Sequence, residues 1–88
     1  MERQVKLLNR AGLHARSAAL FVEEANKYES DIKLVDGERT ANAKSILSII
    51  SFGAEEGAIF KIVAEGGDAE KALDGLERLM NDKKFVEE

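Results

Sequence analysis

The spacing of the apolar residues constrains this fold most, because it switches repeatedly between the two-residue period of a strand and the 3.6-residue period of a helix. Strand-like segments run over residues 4–8, 31–35, 38–41 and 58–64. Helix-like segments run over residues 15–28, 45–53 and 68–80. The order strand, helix, strand, strand, helix, strand, helix predicts an α+β fold, in which one four-stranded antiparallel sheet carries three helices on one face. We expect a single domain over residues 1–88.

Capping residues mark the ends of these segments. Asp36 and Gly37 form the dipeptide that favours a two-residue hairpin turn. Ser45 is the predicted N-cap of the second helix and Gly53 its C-terminal stop, and Asp68 is the predicted N-cap of the third helix. The tail after the third helix, residues 83–88, is expected to fray.

The second and third helices each carry an unusual residue choice. The second has too many apolar residues for one buried stripe, and we expect Ile46, Ile49 and Ile50 to face the core while Leu47 lies near the surface. Gly75 lies inside the third helix, where glycine costs about 1 kcal/mol relative to alanine.

Composition excludes several classes of function. The chain has no cysteine and one histidine, so we expect neither a disulfide framework nor a bound metal, and we expect no cofactor. The net charge of -4 argues against nucleic acid as a partner. No apolar run approaches the roughly 20 residues of a membrane span, and the first residues lack the pattern of a secretory signal. The expectation is a soluble, cytoplasmic domain without membrane insertion.

His14 is the residue best placed for chemistry, because it lies where a glycine-containing loop meets the first helix. The first backbone N–H groups of a helix lack internal partners and attract anions. Arg16 adds a fork of donors that suits phosphate oxygens, and Gly12 lets the chain turn closely before the histidine. A neutral imidazole is also a nucleophile. The alternative, a histidine that only caps the helix or lies at the surface, stays open on these facts alone.

Two interpretations also stay open for Ser45 and for three apolar residues. Ser45 is an N-cap, and it is also a candidate for phosphorylation, which would add nearly two negative charges beside an apolar patch. Leu20, Leu47 and Phe52 belong either to the core or to a surface that binds a partner, and we predict these three as the residues of a partner interface.

Two segments make the chain recognisable. Residues 12–22, GLHARSAALFV, resemble the active-site segment of HPr, the phosphocarrier family of the bacterial phosphotransferase system. Residues 42–53, NAKSILSIISFG, resemble the regulatory-serine helix of the same family. The resemblance covers nearly the whole chain, and it implies an open-faced β-sandwich with three helices over a four-stranded antiparallel sheet.

The resemblance also implies a function. The histidine matched by His14 would accept a phosphoryl group on Nδ1 from enzyme I, which draws it from phosphoenolpyruvate, and would pass it to the A domains of sugar-specific permeases. Arg16 would support the phosphohistidine, together with Gly12, Ala15 and Ser17. Such a protein is a carrier rather than an enzyme, and we expect a monomer.

The same resemblance gives Ser45 a regulatory role. In many relatives the matching serine is phosphorylated by an ATP-dependent kinase (the HPr kinase/phosphorylase), and that form can assist a transcriptional repressor in catabolite control. Two alternatives to the sugar carrier remain: a regulatory paralogue that acts mainly through Ser45, and a carrier for a non-sugar branch. Regulatory paralogues can lack the histidine, and this chain retains His14.

Two residues depart from the family pattern. Ser17 stands where proline usually follows the arginine, so the chain loses a restraint on φ and gains an N–H and a hydroxyl near the expected phosphate site. Ser48 stands where glycine is frequent. We expect His14 to keep its role in spite of both changes.

Overall fold

The computed structural model describes all 88 residues, and its elements follow the predicted order with one addition at the end. The strands are β1 (Glu2–Lys6), β2 (Asp31–Asp36), β3 (Arg39–Asn42) and β4 (Ile59–Glu65). The helices are α1 (Ala15–Ala25), α2 (Ile46–Phe52), α3 (Ala69–Met80) and the short α4 (Lys83–Val86). The α+β class and the order βαββαβα of the longer elements are confirmed, with α4 as a fourth, one-turn helix.

The sheet is antiparallel throughout and has the strand order β1-β4-β2-β3, so β4 lies between the first two strands of the chain. In β4, Phe60, Ile62 and Ala64 are buried while the alternate residues face outward, as the two-residue period predicts. The helices cover the inner face and leave the other face open. One core of 23 buried apolar residues joins the inner face to the helices.

The first strand begins two residues earlier than the apolar pattern indicates. Glu2 and Arg3 pair with Val63 and Ile62 of β4 although both are charged. An edge strand keeps one face and one edge in water, and charged side chains are tolerated there. Apolar content alone therefore places the start of such a strand too late.

Helix α2 has the predicted caps but buries less than predicted. The Ser45 hydroxyl accepts a hydrogen bond from the Ser48 N–H at 3.2 Å, and Gly53 ends the helix with a φ of +68°. The expectation that Ile46 and Ile50 face the core is wrong, since they are 42% and 40% exposed. A seven-residue helix buries only one narrow stripe, which here consists of Ile49 and Phe52.

Asp68 lies at the predicted helix start, but its side chain does not cap α3. Its carboxylate instead accepts hydrogen bonds from the N–H of Glu29 and of Ser30, and from the Ser30 hydroxyl. These bonds lower the pKa of Asp68, chiefly through the Ser30 hydroxyl and then through the Glu29 N–H. Asp68 therefore stabilises the turn before β2 and does not cap the start of its own helix.

The prediction that the C-terminal tail frays is wrong. The Asp82 carboxylate accepts a hydrogen bond from the Lys84 N–H at 2.9 Å and begins α4. Phe85 is 1% exposed, and its carbonyl oxygen accepts a hydrogen bond of 2.7 Å from Nδ2 of the buried Asn9. Burial of one aromatic side chain outweighs the tendency of a short charged tail to fray, and it brings the last residues to the loop before α1.

Candidate functional site

His14 is the N-cap of α1, and the turn before it is held at two points. Its backbone is extended, with φ −128° and ψ −167°. The Gly12 N–H donates to the Asn9 carbonyl at 3.0 Å, and the Leu13 N–H donates to the Ala54 carbonyl at 2.9 Å. Gly12 has a φ of +74°, and a Cβ there would meet the Ala54 oxygen at 2.5 Å. Only glycine fits this close approach without a shift of the backbone, which explains its place before the histidine.

The imidazole of His14 has a hydrogen-bond partner that sets its tautomer. Its Nε2 lies 2.6 Å from the main-chain oxygen of Glu88. That oxygen carries no hydrogen and can only accept, so Nε2 carries the proton in this contact. In the neutral ring the lone pair therefore lies on Nδ1, which is the nitrogen available as a nucleophile.

The first turn of α1 adds hydrogen-bond donors beside this ring. The first intrahelical bond runs from the Ala18 N–H to the His14 carbonyl at 2.7 Å. The N–H groups of Ala15 and Arg16 precede that bond and have no acceptor within the helix. The partial positive charge of the helix start favours an anion at this end.

Arg16 is the exposed cation of the site. Its side chain is 75% exposed, and its Nη1 lies 3.3 Å from Oε1 of Glu88. An ion pair this exposed contributes little to stability, so the guanidinium exchanges partners at small cost. A phosphoryl group near His14 would offer it a stronger, charge-assisted partner.

Ser17 does not lie on the accessible surface. It is 0% exposed, its Oγ accepts a hydrogen bond from the His14 N–H at 3.1 Å, and the hydroxyl donates to the Gly12 carbonyl at 3.2 Å. The Ser17 hydroxyl, which the sequence predicts near the phosphate site, thus forms hydrogen bonds with the backbone of the loop before α1. Ser48, the milder departure, accepts a hydrogen bond from the Asn42 N–H at 2.8 Å and ties α2 to β3.

An apolar surface lies on the helical side of the molecule. We call Ile46, Leu47 and Ile50 the α2 patch, and Leu47 is its most exposed member at 78%. Leu20 is 36% exposed on α1, which packs against α2. Leu47 thus has the surface position predicted for it, whereas sequence reasoning missed Ile46 and Ile50 as surface residues.

Phe52 does not belong to this surface, so its assignment as a contact residue is corrected. Its side chain is 4% exposed, and its ring packs edge-to-face on Phe60 with 5.6 Å between ring centroids. The Arg39 guanidinium covers the same ring at 4.9 Å and donates a hydrogen bond to the Phe52 carbonyl at 2.7 Å. The second half of α2 is therefore anchored, while its first half is exposed.

Ser45 is half-buried at the start of α2, directly before the α2 patch. His14 lies at the start of α1, and it lines none of the three grooves on the surface. The largest groove, about 420 Å³, is formed by strands of the open sheet face and by Lys44. His14 is thus half-buried at a shallow surface site, and a partner would have to dock over it.

Two further observations concern metals and membranes. No group of three or more His, Asp or Glu side chains is arranged to hold a metal ion. None of the helices combines the length and the apolar character that crossing a bilayer requires.

The fold and the placement of one histidine at a helix start are those of a small phosphoryl carrier, and comparison with known proteins gives the family. The family model for the phosphorylation site of the phosphotransferase-system HPr component matches residues 1–82. The phosphocarrier protein HPr of Treponema pallidum is 45% identical over 84 residues, which cover 96% of this chain and 94% of that protein. The chain belongs to the HPr family of phosphocarriers.

Solved structures agree with this assignment. HPr of Thermoanaerobacter tengcongensis superposes with a TM-score of 0.91 and 43% identity, over 100% of this chain and 98% of that one. Crh of Bacillus subtilis, a catabolite-repression protein solved as a domain-swapped dimer, gives a TM-score of 0.70 and 39% identity over 84% of this chain and 85% of that one. The predicted open-faced β-sandwich of the family is confirmed.

Proposed function

We propose that the chain accepts a phosphoryl group on Nδ1 of His14 from phosphorylated enzyme I and passes it to the A domains of sugar-specific permeases. The observation that carries this proposal is the hydrogen bond from Nε2 to the main-chain oxygen of Glu88 at 2.6 Å, because it leaves the lone pair on Nδ1 at the start of α1. Family membership supports the same role.

The transfer step requires little covalent chemistry from the carrier. The Nδ1 lone pair attacks phosphorus as the bond between phosphorus and the donor nitrogen of enzyme I breaks, and that nitrogen keeps the electron pair. Since the transition state is loose, positioning and electrostatic stabilisation dominate the rate. The Nε2 proton stays in its hydrogen bond throughout, so no base is needed to prepare the ring.

The developing charge on the phosphoryl oxygens meets the donors at the start of α1. The N–H groups of Ala15 and Arg16 are available there, and the Arg16 guanidinium leaves Glu88 to bind the dianion. Glu88 therefore pairs with Arg16 in the unphosphorylated protein, and the phosphoryl group replaces Glu88 as the partner of this cation. Arg16→Ala is expected to slow transfer and leave the fold intact.

Docking of the larger partners would use the exposed apolar residues beside the site. Leu20 and the α2 patch together offer a small apolar surface that suits brief encounters. Leu47→Glu should weaken transfer from enzyme I without lowering the melting temperature, because a side chain that is 78% exposed contributes little to the core.

The decisive experiment incubates the protein with phosphoenolpyruvate and enzyme I, with His14→Ala as the variant and Ser30→Ala as a matched control remote from the site. Wild type and Ser30→Ala should acquire an acid-labile phosphate, and His14→Ala should acquire none. Equal labelling of His14→Ala and wild type would remove His14 from the proposed role. Phosphate passed to non-sugar acceptor domains only would place the carrier in another branch.

We propose a second, regulatory use of Ser45 as a substrate of an ATP-dependent kinase, with a transcriptional repressor as the reader. Ser45 is half-buried as the α2 N-cap, and a phosphate on its hydroxyl would lie at a helix start beside Leu47. With the kinase and ATP, wild type should gain an acid-stable phosphate, Ser45→Ala none, and Ser51→Ala as much as wild type. Labelling of Ser45→Ala would reject the assignment.

We also propose that the chain acts as a cytoplasmic monomer. A single contiguous core within one chain supports this state. Crh shows that a relative can exchange a segment between two copies. Light scattering on the purified protein should give the mass of one 9.7 kDa chain, and a mass of twice that value would reject the proposal.

A further inference from the structure

We propose that Ser17 is a positioning residue for His14, an inference that rests on the proposed function. Its hydroxyl joins the peptide groups on both sides of Leu13 and thereby holds the histidine at the start of α1. It acts through the backbone of His14 and touches no phosphoryl oxygen, because its side chain is buried.

The hydrogen bonds of Ser17 use both capacities of its hydroxyl. Oγ accepts from the His14 N–H at 3.1 Å, and the hydroxyl hydrogen is directed to the Gly12 carbonyl at 3.2 Å, closer than the His14 carbonyl at 3.4 Å. Ser17 is one of three buried polar residues in the molecule. A buried hydroxyl is favourable only when it is satisfied, and both of its partners belong to the loop that carries the histidine.

The geometry explains why this loop needs an additional restraint. The Leu13 N–H is already bonded to Ala54, which fixes the middle of the loop from outside α1. The Ser17 bonds fix its two flanks from inside α1, so the extended N-cap backbone of His14 is held from both directions. The ring is then restrained at its far end by the contact of Nε2 with Glu88. A misplacement of about 1 Å is enough to cost a positioned group much of its rate.

The family's usual proline at this position could form none of these bonds. Proline has no hydroxyl, and it restrains the helix start through its fixed φ near −65°. In this chain the two hydrogen bonds of Ser17 supply a restraint of a different kind. The serine is therefore a substitute with its own mechanism and not simply a missing proline.

The test compares Ser17→Ala with Ser30→Ala, the variant of the other buried serine. Ser30 also hydrogen-bonds through its hydroxyl, to Asp68, but it lies before β2 and away from His14. Both variants lose a buried hydroxyl, so a merely structural role predicts similar effects of the two. Phosphorylation by enzyme I is measured well below the melting temperature of each variant, and the His14 ring is followed by ¹⁵N NMR at neutral pH.

Ser17→Ala should be phosphorylated about tenfold more slowly, which corresponds to one hydrogen bond of about 1.4 kcal/mol, and Ser30→Ala should match wild type within twofold. The ring ¹⁵N shifts of Ser17→Ala should move from the Nε2–H pattern toward the average of a free imidazole, and those of Ser30→Ala should not. Unchanged shifts and an unchanged rate in Ser17→Ala would overturn the proposal. If wild type itself accepts no phosphate, the proposed function fails, and the ring shifts still decide the role of Ser17.

Discussion

Gly75→Ala should destabilise the protein, although the same change in an ordinary helix stabilises it by about 1 kcal/mol. A Cβ at this position of α3 would overlap the Tyr28 hydroxyl and lie 2.9 Å from both Tyr28 Cζ and Glu24 Oε2. The tyrosine ring must move away, and it then gives up its hydrogen bond of 2.8 Å to Glu24. Overpacking costs about 1–3 kcal/mol and the hydrogen bond about 1 kcal/mol. After the gain in helix propensity, the net loss is about 2 kcal/mol, or a fall in melting temperature of roughly 8–16 °C.

A double-mutant cycle with Tyr28→Ala tests this reasoning by thermal and urea unfolding. In the Tyr28→Ala background only the flexible end of Glu24 remains near the new Cβ, so Gly75→Ala should become stabilising by about 1 kcal/mol. The coupling between the two positions is then about 3 kcal/mol. The change of sign is the result to look for. A Gly75→Ala variant that melts above wild type, or one that has the same effect in both backgrounds, would show that Tyr28 does not explain the glycine.

Three further results are expected. Phe85→Ala should lower the free energy of unfolding by about 3–5 kcal/mol. Val86 is half-exposed beside Phe85, and Val86→Ala should lower it by less than about 1.5 kcal/mol. Equal losses would mean that the Phe85 ring does not anchor α4. The hydrogen bonds to Asp68 lower its pKa in the folded state, so the ionised carboxylate stabilises the fold above the ordinary aspartate pKa near 4. That stabilisation is lost as the pH falls below this value toward the lowered pKa. Asp68→Asn should therefore melt lower at pH 7 and show a smaller drop in melting temperature between pH 5 and pH 3, and parallel pH profiles would contradict this. Burial, and then the hydrogen bond to Glu24, raise the pKa of Tyr28. The protonated tyrosine therefore stabilises the fold up to the ordinary tyrosine pKa near 10, and this stabilisation is lost as the pH rises above that value toward the raised pKa. Tyr28→Phe should accordingly reduce the loss of stability at alkaline pH.

The sequence predicted the element order and the position of His14 because both depend on local signals. Alternating apolar residues define β4, and the glycine before the histidine marks the close turn that the contact with Ala54 requires. Ser45 and Gly53 behave as caps for the same reason, since a cap acts within one turn of its own helix.

The features that the sequence did not predict depend on contacts between distant parts of the chain. The tail was expected to fray because nothing near Phe85 in the sequence reveals that its carbonyl pairs with Asn9, 76 residues away. Consequently the contact between Glu88 and His14 was not expected either. A single aromatic residue in a charged tail was the one available signal that this tail would dock.

The other incorrect predictions concern side chains that have two possible sets of hydrogen-bond partners nearby. Asp68 could cap α3 or close the turn before β2, and it closes the turn because three donors meet its carboxylate there. Ser17 could face the phosphate site or the backbone, and it bonds the backbone on both sides of Leu13. The choice depends on how the loop folds back on α1, which periodicity does not encode.

The most direct test of the account is to identify which ring nitrogen of His14 carries the phosphate. After reaction with phosphoenolpyruvate and enzyme I, ¹⁵N-labelled protein is examined by NMR for the coupling between phosphorus and nitrogen. Because Nε2 donates its proton to the main-chain oxygen of Glu88, the coupling should appear at Nδ1. A phosphate on Nε2, or a histidine that remains unmodified while the protein is labelled elsewhere, would contradict the account.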